Sequence, residues 1–254
     1  MSIATEISRL QTAKAGLKTA IEGKGVTVSD TATLDAYPAL VESIETGGGS
    51  GGSDADLIGV IERSATSVNI PDGCTKIGAY AFYQWSALTN VGMPNSVTSI
   101  EKCAFYGCRK AVITSLPANL KSVGESAFYS VTGLTVSELP STLTSIAEGA
   151  FQGTDITISS LPSGLTKIDG ITFRETKIIT ITIPNSVTSI GRYAFYNCAS
   201  LTTVTFEGTP SSIYSDAFQY CANLKTINVP WSSGAVANAP WGATNATINY
   251  NYAG

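Results

Sequence analysis

The chain has 254 residues, enough for one extended domain and a small second one; 43% are hydrophobic and only 13% charged, against about a quarter in ordinary globular proteins. A formal net charge of −4 gives no basic footprint for nucleic-acid phosphates or anionic membranes. No apolar run reaches about 18 residues, so membrane insertion is not expected. Histidine is absent, which excludes Ser–His and Cys–His nucleophile pairs.

In chain order, residues 1–46 are predicted to be helical. Ile3, Ile7, Leu10, Leu17 and Ile21 form one narrow apolar stripe, and Gly23 and Gly25 stop the helix. A second short helix is expected from Pro38 to Glu45, with Leu40, Val41 and Ile44 inward. Such a hairpin buries little surface by itself. The heptad-like stripe therefore predicts self-association, as a trimer, against the alternative of a cap on the rest of the chain. The opening MSIATEISRLQ has neither the basic start nor the apolar run of a secretory signal, so export by that route is not expected. Residues 47–56, beginning GGGSGGS, read as a flexible tether.

Residues 57–254 are built on a period. Phe82, Phe105, Phe128, Phe151, Phe173, Phe195 and Phe218 recur at steps of 23, 23, 23, 22, 22 and 23 residues. Eleven residues before the first six stand Pro71, Pro94, Pro117, Pro140, Pro162 and Pro184. Five before each of the seven stand Ile77, Ile100, Val123, Ile146, Ile168, Ile190 and Ile213. Alanine precedes phenylalanine in every copy but one, which has Thr172. A period of about 20–29 residues predicts a mainly β solenoid of the leucine-rich-repeat type, here with about eight coils and a parallel sheet. Each coil is expected to carry a strand, a proline turn, the Ile segment and a tight Ala-Phe corner. Leu57 to Glu62 reads as an entry strand. Three coils hold one extra residue before proline, at Ser115-Leu116, Glu138-Leu139 and Ser160-Leu161, read as a local bulge without function. Trp241, 23 residues after Phe218, marks a disguised eighth copy, and Thr247 to Tyr252 a closing strand.

The register also sorts the chemistry. Of five cysteines, Cys108, Cys198 and Cys221 share the position three residues after phenylalanine, which predicts small buried residues. Cys198 and Cys221 could approach between coils; a disulfide would need suitable Cα spacing. Without histidine or a CxxC pair no metal site is expected, and no cofactor is implied. Glu101, Glu125, Glu148, Asp169 and Asp216 form a scattered edge with no convergent pair, so no catalytic residues are assigned. Two surfaces remain as ligand-binding candidates. One is an outward hydroxyl and amide ladder on the sheet, including Asn90, Thr180, Thr182, Thr203, Thr205 and Asn228, with Val112 its one apolar member. Threonine also suits a solvated strand face. The other is the residue after each phenylalanine: Tyr83, Tyr106, Tyr129 and Tyr196, interrupted by Gln152, Arg174 and Gln219, with Tyr80, Trp85, Tyr193 and Tyr220 nearby. Tyrosine gives contact area at low entropy cost, or packs coil on coil.

The wording PNSVTSIEKCAFYGC at 94–108 and SVTSIGRYAFYNCASLTTVTF at 186–206 resembles the BspA-like, treponemal-type leucine-rich repeat family, over about residues 57–252. The resemblance implies a curved right-handed solenoid and a surface adhesin or interaction module, not an enzyme. The copy ending at Phe218 departs from it, with Glu207 in the proline position and Pro210 late. IATEISRLQTAKAGLKTAIEGKGVTV and LDAYPALVESI, within about the first 45 residues, resemble tail-associated proteins of phages and prophages of gut Firmicutes. Together these predict a phage or prophage tail-fibre or tail-tip component, located in the virion tail. Its helices would join other virion tail proteins and its solenoid would bind a host surface protein or glycan. The alternatives are a bacterial surface adhesin at the cell surface and a structural spacer.

Overall fold

The computed structural model describes residues 66–253; the expected helices, tether and entry strand lie outside that span. Among the described residues the chain forms thirteen short strands. They are β1 (Ser67–Asn69), β2 (Lys76–Ile77), β3 (Asn90–Gly92), β4 (Ser99–Ile100), β5 (Ser122–Val123), β6 (Ser145–Ile146) and β7 (Lys167–Ile168), followed by β8 (Thr180–Ile183), β9 (Ser189–Ile190), β10 (Thr203–Phe206), β11 (Ser212–Ile213), β12 (Thr226–Asn228) and β13 (Thr247–Asn249). All pairings are parallel and join one coil to the next. The result is the expected parallel β-solenoid of about eight turns.

Each coil repeats the same local chemistry. Proline opens a turn in which its carbonyl accepts from the N–H three residues on, as in Leu120 to Pro117 at 3.0 Å and Leu143 to Pro140 at 3.0 Å. The Ile segment then makes a two-residue strand, and β2-β4-β5-β6 and β7-β9-β11 form two ladders from these. The corner follows as overlapping turns; in one coil Ala104, Tyr106 and Cys108 donate back to Glu101, Cys103 and Phe105 at 3.2, 3.1 and 3.1 Å. Most corners carry left-handed residues two before and two after phenylalanine, such as Ser126 (φ 51) and Ser130 (φ 56). Ile171 takes φ 49, a sterically costly conformation for a β-branched residue. Alanine fits between them because its side chain is fully buried, at Ala104, Ala127, Ala150, Ala194 and Ala217. Thr172 stands in the same slot by turning its hydroxyl onto the Asp169 carbonyl at 2.9 Å.

Corners are locked together by the phenylalanines. Their rings stack coil on coil with centroids 4.9, 5.4, 5.7, 5.8, 5.3 and 5.2 Å apart from Phe82 to Phe218. Each phenylalanine N–H from Phe82 to Phe195 also donates to the next coil, to the residue before its phenylalanine, at 2.7–3.0 Å. The eighth copy keeps the column but slips by one: Phe218 donates to Trp241 itself at 2.9 Å. The Trp241 indole is fully buried and bonds the Ala237 carbonyl at 2.7 Å. Trp231, Trp241 and Phe206 then fill the last coil, and β13 adds a further rung on β12, Thr226 opposite Thr247. The copy carrying Glu207 still closes, since β11 pairs with β9 and Glu207 donates to the Ile183 carbonyl at 2.9 Å.

The broad sheet differs from expectation. It is not continuous: β1-β3 and β13-β12-β10-β8 are separate, and the coils with an extra residue contribute only isolated bridges, Asn90–Val112, Ile113–Leu134 and Ser160–Thr182. The loss of continuous pairing coincides with the coils that carry the extra residue.

Phe128 lies between Phe105 and Phe151, with nothing to refill its place. Phe128→Ala is expected to cost about 3–5 kcal/mol, read as a lower denaturant midpoint in guanidinium unfolding.

Candidate functional site

The tyrosines fall where the corner puts them, one residue beyond each buried phenylalanine, and the coil spacing brings them into contact. Tyr83 and Tyr106 stack at 5.1 Å, and Tyr106 and Tyr129 at 4.4 Å with planes 11° apart. Tyr80 abuts Tyr83 edge-on at 5.6 Å. Tyr106 therefore has a neighbouring ring on both faces. Its hydroxyl pKa is raised by burial first and then by Tyr129 and Tyr83, so it stays a neutral donor at physiological pH. Covered on both faces, Tyr106 shows solvent its ring edge and hydroxyl. Ring edges carry the positive end of the quadrupole and phenols donate, so the row suits hydrogen-bond acceptors.

Gln152, only 9% exposed, ends this row, and the stripe resumes beyond it. Arg174 lies over the Tyr196 ring at 4.8 Å, and Tyr193 and Tyr220 meet Tyr196 edge-on at 5.1 Å each. Arg192 covers Tyr193 at 5.1 Å and pairs with Asp216 at 3.2 Å. Tyr220 is the most exposed of the group at 62%. Trp85, read as part of this surface, is instead buried against Phe82 at 5.8 Å. It occupies the cysteine position, three residues after phenylalanine, which the corner turns inward. The two arginine contacts were not foreseen; Arg174 standing in the tyrosine register position is the signal that could have shown the contact with Tyr196.

The cysteine column is structural. All five cysteines are free and buried. Cys108, Cys198 and Cys221 donate to the carbonyls of Phe82, Phe173 and Phe195 in the preceding coil, at 2.8, 3.0 and 2.9 Å. Thr154 and Thr176 fill the same position in other coils and bond Phe151 and Phe173 of their own coil, at 2.8 and 2.9 Å. Burial pushes the Cys108 thiol up to about 11, and the hydrogen bond with Cys198, with burial, raises Cys221. Such thiols are protonated and unreactive at neutral pH.

The hydroxyl ladder is placed as the register implied. Asn90 and Thr180 are exposed; Thr182, Thr203 and Thr205 are half-buried. Val112 is 52% exposed. Asn228 is the exception: it is buried, bonding Thr205 Oγ1 at 3.2 Å and accepting from Asn249 at 2.8 Å, because β13 covers its rung. The tyrosine row and this ladder lie on different parts of the coil, so no single site unites them. Carboxylates are tied up singly, Glu125 by Lys102 at 2.9 Å and Asp169 by Lys167 at 2.9 Å. The proposed oligomerisation residues Ile3, Ile7, Leu10, Leu17 and Ile21 lie outside the described residues. Sequence reasoning missed one concave feature. Where the extra residues interrupt the sheet, a groove of about 400 Å³ opens beside Leu116 and Leu139.

In-register parallel coils around a stacked phenylalanine column define a leucine-rich-repeat β-solenoid. The chain belongs to the BspA type leucine rich repeat region family, matched in six copies over residues 62–179 and 166–239, more than half of its length. Among solved structures it is similar to a T. pallidum leucine rich repeat protein, at 26% identity over 69% of this chain and 78% of that one, with a TM-score of 0.44. The pneumococcal vaccine antigen PcpA is 18% identical over 75% of this chain, which spans 42% of the antigen, with a TM-score of 0.42. A leucine rich cell surface protein from Faecalibacterium prausnitzii is 21% identical over 74% and 79% of the two chains, at 0.31. No curated protein matches the chain. The family match begins at residue 62, so it lends nothing to the resemblance of residues 1–46 to phage tail-associated proteins.

Proposed function

We propose that this chain is a non-enzymatic binding protein of the adhesin kind, displayed at a bacterial cell surface, whose contact surface is the tyrosine stripe. The observation that carries the reading is the row Tyr83–Tyr106–Tyr129, which holds three phenol hydroxyls at coil spacing on a rigid frame. A prearranged donor row loses little entropy on binding. Membership of the BspA-type family supports the adhesin reading over the virion-tail one, which rests on residues 1–46 alone. The partner is a host surface protein or glycan, met through acceptor groups such as carbonyls, carboxylates or sugar hydroxyls. Tyr196 with Arg174 and Tyr220 extends the surface. Residues 1–46 act as an attachment and trimerisation segment, 47–56 as a tether, and 57–254 as the binding module. Neither cofactor nor metal takes part.

Two measurements test this. Tyr83, Tyr106 and Tyr129 changed together to Phe keep the ring stack and lose the hydroxyls. Binding to host cells or a glycan array should fall by about tenfold or more with the thermal midpoint little changed; undiminished binding leaves the stripe without a role. In light scattering the whole chain should be trimeric and residues 54–254 monomeric, and two monomers would contradict the assignment of the first segment.

A further inference from the structure

The groove at the interrupted sheet lies apart from the tyrosine stripe. In an intact solenoid rung, backbone N–H and C=O groups pair with the coils on either side. Here the pairing stops. Among the described residues, the N–H groups of Thr114, Ser115 and Leu116 and of Val136, Ser137, Glu138 and Leu139 donate no hydrogen bond within the chain. The carbonyls of Ser115, Leu116, Ser137 and Glu138 accept none. These segments face each other across the groove of about 400 Å³. Its apolar wall is Leu116, Val136, Leu139 and Pro140. Its one charged lining residue is Glu138, which is exposed and held in no ion pair among the described residues. Each feature falls at the extra residue before Pro117 and Pro140.

We propose that this groove binds an extended peptide segment that carries lysine or arginine. Unpaired main-chain groups on both walls match what an added strand supplies, alternating donors and acceptors. The apolar wall takes every other side chain, and Glu138 takes the cation in the intervening position. The site is independent of the tyrosine stripe and lies on a different part of the coil.

The test is an amide-shift titration of the full-length protein by NMR, with a short peptide alternating lysine and valine. Shifts and slowed exchange should concentrate at Thr114–Leu116 and Val136–Leu139. The same peptide with N-methylated backbone amides should not bind. Glu138→Lys, a surface change that leaves the core intact, should weaken the lysine peptide about fivefold and favour its glutamate counterpart. The Tyr→Phe variant should bind the peptide unchanged, which separates this site from the stripe. Shifts absent from these amides, equal binding of the N-methylated peptide, or the same shifts produced by a neutral oligosaccharide in place of the peptide would overturn the proposal.

Discussion

The contact on which the rest depends is one phenylalanine ring against the next. No coil of this chain can bury its core alone. Its strands are two to four residues long, too short to stand unsupported. Stacking Phe82 through Phe218 at 4.9–5.8 Å turns these marginal pieces into one continuous core. It also offsets a recurrent cost. Corners that aim phenylalanine inward hold non-glycine residues at positive φ, as at Cys103, Ser126 and Glu175, at about 1–3 kcal/mol each. Such strain persists only where the surrounding packing determines it, and here the packing is the column and its inter-coil N–H bonds.

That same constraint decides what the surface can do. A residue at a fixed distance from phenylalanine becomes a column, so single-residue preferences become extended features. Three residues on, the column points inward, and Cys108, Cys198 and Cys221 act as small donors to main-chain carbonyls, with burial raising the Cys108 thiol and the contact with Cys198, with burial, raising Cys221. One residue on, the column points outward, and tyrosines come close enough to stack. Their stacking uses up the ring faces that would otherwise hold a sugar, and leaves edges and hydroxyls. The proposed recognition by this row therefore works through directional hydrogen bonds.

Much of this was legible in the residues. The phenylalanine period, the proline turns and the copy disguised at Trp241 all follow from spacing, because a solenoid repeats its geometry with its sequence. What spacing cannot convey is how a column behaves between coils. Ring overlap depends on the coil separation, which no sequence offset encodes. Trp85 lies near the tyrosines in the register, yet its position is the inward one held elsewhere by cysteine. Asn228 counts as an outward strand residue, but β13 buries it. At Trp241 the accepting carbonyl lies one residue later than in the other coils, a slip that spacing does not show. The extra residues before Pro117 and Pro140 were visible as irregularities, whereas the groove they open exists only once neighbouring coils fail to pair.

The central claim is that the inter-coil phenylalanine column is the rigid frame on which every surface is displayed. Native-state hydrogen exchange reads it directly, because the N–H groups of Phe105, Phe128, Phe151, Phe173 and Phe195 each bond the following coil. These five amides are expected to exchange at similar rates and to be among the slowest of the described residues. Exchange of any of them at the rate of exposed unpaired amides, such as those of Ser115 or Ser137, would contradict it.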